Sequence, residues 1–270
     1  MSRLLSLTVI AAALLFAMAS GAHAHRAWLL PSATVLSGED PWITVDAAIS
    51  NDLFYFEHHP MRLDGLAITA PDGSETKAEN ISTGKYRSTF DVHLSKPGTY
   101  RIAVVSNGVF ARFMENGKRR RLRGRNDQPL AIPPGATDVH ISAISRRMEA
   151  FATAGGPTRE VLKPTGIGLE LVPLTHPNDL FAGEAARFQF LIDGEPAAGL
   201  AVAVIPGGIR YRDKLKEMKI TTGSDGKFSV TWPAPGMYWL NATIRDDKPK
   251  VKQATERRAG YTATLEVLPQ

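Results

Sequence analysis

From Trp28 onward the chain is a succession of short apolar or alternating runs, each stopped by glycine, proline, aspartate or asparagine before a helix could build up turns. Alternation with period two puts every second side chain on one face of a pleated strand. Turn residues at regular intervals cut such strands to the lengths used in sandwiches. The pattern predicts strands at 27–30, 42–49, 66–69, 86–92, 100–105, 109–113 and 138–145. Residues 146–153 fit either period, but the alternation through Val139, Ile141 and Ala143 runs into them, so they are read as strand. No stretch reads as a long amphipathic helix.

Gly155-Gly156-Pro157 through Pro164-Thr165-Gly166 is the one break with linker composition. After it the strand pattern restarts at 169–172, 186–192, 200–205, 219–222, 227–231, 238–244 and 261–268. The expected organisation is all-β: two immunoglobulin-like or prealbumin-like β-sandwich domains, 25–157 and 165–270, behind a signal peptide at 1–24. Pro97-Gly98-Thr99-Tyr100 and Pro235-Gly236-Met237-Tyr238 echo each other, and a tyrosine at such a strand entrance is expected to pack and to cap nearby backbone with its hydroxyl. Thr222 to Phe228, through Asp225-Gly226, reads as a hairpin turn with Asp-Gly supplying the positive φ. Together with the Gly194-Glu195-Pro196 turn, this order of signals resembles prealbumin-like and carboxypeptidase-regulatory-like sandwiches, which are usually non-catalytic accessory domains.

Arg3, the apolar run Leu4 to Ala19 and Ala22-His23-Ala24 have the form of a secretory signal peptide with a small-x-small cleavage site. The run is too short, and too soon followed by polar sequence, to be a membrane span. Cleavage after Ala24 leaves His25 with a free α-amine; Ala17-Met18-Ala19 and Ser20-Gly21-Ala22 are also acceptable to the peptidase. The chain is therefore expected to be exported and periplasmic. It contains no cysteine, which excludes disulfides and thiolate metal sites.

The formal charge of +5 has a local origin. Lys118, Arg119, Arg120, Arg121, Arg123 and Arg125 put six positive charges into eight residues, expected as a solvated basic loop. No base-stacking aromatics interleave the run, so nucleic acid is a poor partner. An anionic surface, an anionic metal chelate or an acidic protein suits it better.

Of seven histidines, His23 leaves with the signal, so any site for a divalent transition metal must draw on His25, His58, His59, His93, His140 and His176. A free amino-terminal His25 would offer its amine and ring Nδ1 to one ion, and nickel, copper and zinc favour such nitrogens. The aromatic-rich loop from Asn51 to Pro60 holds the adjacent pair His58 and His59. In an extended segment these two point to opposite faces, so only a turn between them would let both reach one ion. The expected metal ligands are His25 with His58 or His59. Zincin, nucleophile-elbow, phosphate-loop and dinucleotide motifs are absent, and no catalytic residue is assigned.

The opening His25-Arg26-Ala27-Trp28-Leu29-Leu30-Pro31, the Asn51-Asp52 to His58-His59-Pro60 loop, the Gly155-Gly156-Pro157-Thr158 link, the Leu169 to Pro177 segment and the Asp225-Gly226 to Tyr238 region resemble domain-of-unknown-function family 4198 of bacterial periplasmic proteins. That family is often grouped with nickel and cobalt uptake accessory proteins. The resemblance implies a non-enzymatic protein that binds nickel, cobalt or copper, or a metal chelate, and serves an uptake system through a TonB-dependent receptor or an inner-membrane transporter. Two other readings stay open: a mononuclear copper enzyme using an amino-terminal histidine brace, and a structural receptor-partner or adhesion module without metal.

Overall fold

The computed structural model describes residues 25–270; the expected signal peptide and its cleavage site lie outside them. The first half contributes β1 (Arg26–Pro31), β2 (Val35–Leu36), β3 (Trp42–Ser50), β4 (His59–Pro60), β5 (Leu66–Thr69), β6 (Glu75–Thr76), β7 (Glu79–Thr83), β8 (Ser88–His93), β9 (Gly98–Glu115), β10 (Lys118–Gly124) and β11 (Thr137–Ala154). The second half adds β12 (Leu169–Pro173), β13 (Ala185–Ile192), β14 (Glu195–Pro196), β15 (Ala201–Pro206), β16 (Met218–Thr221), β17 (Lys227–Thr231), β18 (Gly236–Asp246) and β19 (Glu256–Val267). Among the described residues the protein is all-β, apart from two single 3-10 turns. No helix there is long and apolar enough to cross a membrane.

Three sheets form. A five-stranded sheet runs β1-β3-β8-β7 with β4 beside β3, and a four-stranded sheet joins β12, β13, β14 and β17. Between them lies a ten-stranded sheet, β16-β15-β18-β19-β11-β9-β5-β6, with β10 on β9 and β2 on β11. This central sheet is continuous across the two halves of the chain, because β11 pairs in parallel with β19 from Ser142↔Glu256 to Ala150↔Thr264. Residues paired across neighbouring strands share a face. The register therefore shows that the two outer sheets cover opposite faces of the central one. Tyr100, Ile102, Val104, Ala150 and Ala152 meet Leu29, Val45, Phe90 and Val92 of the five-stranded sheet in one core. Val204, Leu240, Tyr261, Ala263 and Leu265 meet Leu171, Phe188, Phe190 and Val230 of the four-stranded sheet in the other.

The two Pro-Gly-x-Tyr sequences fold as their echo implies. The Tyr100 hydroxyl accepts from the Lys96 amide at 2.8 Å and faces its carbonyl oxygen at 3.1 Å, while the Tyr238 hydroxyl donates to the Ala234 carbonyl at 2.7 Å. Each ring fills its own core, and each hydroxyl fastens the turn four residues upstream.

Three expectations need correction. The separate strands at 100–105 and 109–113 are one eighteen-residue strand, β9. The Asp225-Gly226 turn exists, with Gly226 at φ +76°, but it is not a hairpin: β16 belongs to the central sheet and β17 to the four-stranded sheet, so the turn carries the chain between layers. A β-carbon at Gly226 would lie 2.4 Å from the Phe190 carbonyl oxygen, so glycine is required there for space as well as for φ. The basic run is not a loop either. Lys118 to Gly124 is β10, paired along its length with β9. Asn116 and Gly117, at φ +49° and +72°, close a two-residue hairpin between Glu115 and Lys118, and the alternate side chains of the run leave on opposite faces.

Candidate functional site

The candidate site is built on β1 and on the loop between β3 and β4. Trp28 is fully buried and donates its indole N–H to Ser50 Oγ at 2.8 Å; that hydroxyl donates on to the Asp52 carbonyl at 2.5 Å. Phe54 and Phe56 pack on the same indole, each with a ring-centre separation of 5.5 Å. Glu57 closes the loop by accepting from the amides of Asn51 and Asp52 at 2.8 and 2.9 Å. Phe54 pays for the tight path with a φ of +62°. The loop therefore turns sharply just before His58, instead of running extended.

That turn brings the three sequence-predicted histidines together at one exposed edge. The rings of His25 and His58 stack with centres 3.8 Å apart, and those of His58 and His59 lie 4.6 Å apart at 42°. His25 Nδ1 sits 2.8 Å from Asn51 Oδ1, and an amide oxygen only accepts, so Nδ1 carries the proton and Nε2 the lone pair. Arg26 donates to the Asn51 carbonyl oxygen at 2.7 Å, which fixes the same residue from its backbone side. The His58 imidazole is held below the ordinary histidine range, first by desolvation and then by the charges of His25 and His59, with Glu57 opposing. The neutral ring this favours is the form that ligates metals.

Nitrogen donors and neutral imidazole fit a borderline divalent ion. The arrangement as it stands is a stack, however, and among the described residues no three His, Cys, Asp or Glu side chains already surround a common point suited to a metal. Binding an ion requires at least one ring to rotate. The remaining histidines lie elsewhere. His93 pairs with Asp40 and stacks on Trp42, and His140 is exposed on β11. His176 is buried against Thr99 and Thr158.

The sequence did not announce the cavity that opens beside His25. Its volume is about 670 Å³, with Arg26 and Ile49 on the side of the five-stranded sheet and Arg146, Met148, Trp239 and Thr262 on the central sheet. Trp239 donates its indole N–H to the Ala27 carbonyl at 3.0 Å, and with Ile205 it joins Trp28 and Leu53 in a small apolar cluster. The site thus rests on both halves of the chain.

The sequence matches the family described as "Domain of unknown function (DUF4198)" over residues 22–246. The chain belongs to this family. The match takes in β1, the histidine loop and most of both cores. No curated protein matches it in sequence. Among solved structures it is similar to the D0-D1 domain of intimin, at 11% identity and TM-score 0.21 over 88% of this chain and 97% of that one. The FN1-FN3 domains of chicken CNTN1 match at 7% identity and TM-score 0.24, over 90% of this chain and 99% of the other. Escherichia coli alpha-2-macroglobulin matches at 9% identity and TM-score 0.21, over 89% of this chain and 31% of that one. At such TM-scores the architecture of the DUF4198 chain rests on its own strand pairing.

Proposed function

We propose that this DUF4198 protein is a periplasmic, non-enzymatic accessory protein of a metal uptake system, in which His25, His58 and His59 hold nickel, cobalt or copper as cargo. The observation that supports the reading is the gathering of three imidazoles, drawn from positions 25, 58 and 59, by a loop locked through Trp28 and Glu57. A delivery protein needs exposed ligands that exchange, and all three histidines are exposed. A TonB-dependent receptor or an inner-membrane transporter is the partner class such a protein would serve.

The copper-enzyme reading needs the His25 amine and Nδ1 on one ion. The Asn51 amide oxygen holds Nδ1, which favours coordination through ring nitrogens with Nε2 of His25 among them.

Amino-terminal sequencing of the exported protein fixes the cleavage site, and titration of Ni(II) into the metal-free form measures binding. The double variant His58→Ala, His59→Ala is expected to lose binding. A variant with one residue added before His25 is expected to keep it within a few-fold. Binding unchanged in the double variant overturns the site, and loss in the extended variant shows that the amine is a ligand and reinstates the brace.

A further inference from the structure

The face of the central sheet that carries the first core is only partly covered. Beyond the edge of β1 it continues as the floor of the 670 Å³ cavity, then as open surface. The register places Arg146 beside Gly260, Ile144 beside Arg258, and Arg258 beside Arg245, all on this face. Farther out the same face carries Arg112 opposite both Arg121 and His140, with Arg119 and Arg123 flanking Arg121 along β10. Glu256 serves Arg245 and Arg258 together. Half of the expected basic run thus joins a band of arginines that leads across the sheet to the histidine edge.

At the cavity itself the charges are unequal. Arg26 and Arg146 line it, as does Glu217. The Arg147 guanidinium is taken up by Glu149 and Glu170. The Arg146 side chain is exposed and has no hydrogen-bond or ion-pair partner among the described residues. A bare dication approaching the histidines from this side meets a positive field, whereas an anion is drawn along it. The volume lies within the range of small-molecule sites, and the lining combines apolar surface from Trp239, Met148 and Ile205 with the hydroxyls of Thr243 and Thr262.

We infer that this cavity binds a small organic anion bearing carboxylates, and that metal reaches the histidines as the anionic chelate of such a ligand. Carboxylate oxygens accept charge-assisted hydrogen bonds from Arg146 and Arg26, while donor atoms left on the ion are replaced by imidazole nitrogen at the rim. The first part stands on the cavity alone; the second rests on the metal reading above.

Calorimetric titration of the metal-free exported protein with citrate, with Ni(II) and with their one-to-one mixture separates the two. Citrate alone is expected to bind, about tenfold or more weaker in Arg146→Gln, with the charge-keeping Arg146→Lys recovering most of the loss. The His58→Ala, His59→Ala variant should keep citrate binding but lose the extra affinity of the nickel citrate mixture. An absence of citrate binding, or citrate binding indifferent to Arg146→Gln in a variant with unchanged melting, overturns the cavity inference even where Ni(II) alone binds. Citrate binding with no gain from nickel leaves the cavity standing and overturns the chelate route, while the metal reading above stands or falls on Ni(II) alone.

Discussion

His176 shows how a histidine in a recognisable segment becomes structural. Its Nε2 lies 3.0 Å from Thr99 Oγ1 and 3.1 Å from the Thr158 carbonyl, and its Nδ1 accepts from the Asn178 amide at 3.2 Å. This pattern fixes a neutral ring protonated at Nε2. Burial, the larger cause, lowers its ionisation below the ordinary value of 6.5; the Thr158 carbonyl and Asp179 oppose this, and Arg159 adds to it. The unfolded chain therefore takes up a proton near pH 6.5 that the folded protein refuses. The ring's contribution to stability is full above that pH and is lost as pH falls from there towards the lower folded value. Urea unfolding of wild type and His176→Gln at pH 7.5 and 5.5 should show a smaller drop in the variant. An equal drop in both would mean that His176 is charged in the folded state. Sequence composition singled out the Asn51 to Pro60 loop and paired it with His25, and those residues do meet. It could not reveal that Glu57 ties down the loop or that Asn51 occupies Nδ1, because both depend on a turn whose signal is an ordinary glutamate six positions after an asparagine.

At the scale of elements, most strands were legible because period-two burial and turn residues are local properties. The misreading of β10 has a specific cause: six positive charges suggested a solvated loop and outweighed Asn116-Gly117, a strong two-residue hairpin signal. The hairpin forms despite a direct like-charge pair, since Arg121 faces Arg112, which in turn faces His140 on β11. Like charges directly opposite each other destabilise a strand pair, and opposite charges stabilise it. Arg121→Glu should therefore raise the stability of the protein, by roughly 0.2–1 kcal/mol, read as a higher urea midpoint at low ionic strength that converges on wild type as salt screens the pair. A lower midpoint would show that the arginine stem packs in a way that outweighs its charge. The Asp225-Gly226 turn failed for a different reason. Its local geometry is what the sequence dictates, but whether two strands joined by a tight turn also pair depends on partners far along the chain.

The whole molecule is held by the pairing least visible in the sequence, the parallel contact of β11 with β19, whose members are separated by more than a hundred residues. Around it lies a buried polar network that reaches from the first half into the second. Arg147 donates to Glu149 at 3.2 Å and to Thr165 at 3.0 Å and lies 3.3 Å from Glu170; Glu149 accepts from the Tyr261 hydroxyl at 2.6 Å. Glu170 also accepts from the amides of Thr165, Gly166 and Ile167, so the link between the halves is bound to the carboxylate that Arg147 neutralises. Burial and the adjacent Glu149 charge push the Tyr261 phenol well above its ordinary range, which keeps it a donor at any pH where the protein folds. Removing Arg147 leaves Glu170 buried without its cation and Glu149 with Arg101 alone, 4.0 Å away, at a cost of about 3–5 kcal/mol, or on the order of 10 °C in Tm for a chain of this length. With one sheet shared by both cores, that loss cannot be confined to either. Scanning calorimetry should show a single transition for the wild type, and a single transition at lower temperature for Arg147→Ala. Two resolved transitions in the wild type, with only one of them moved by the substitution, would show that the cores unfold independently and that the shared sheet does not couple them.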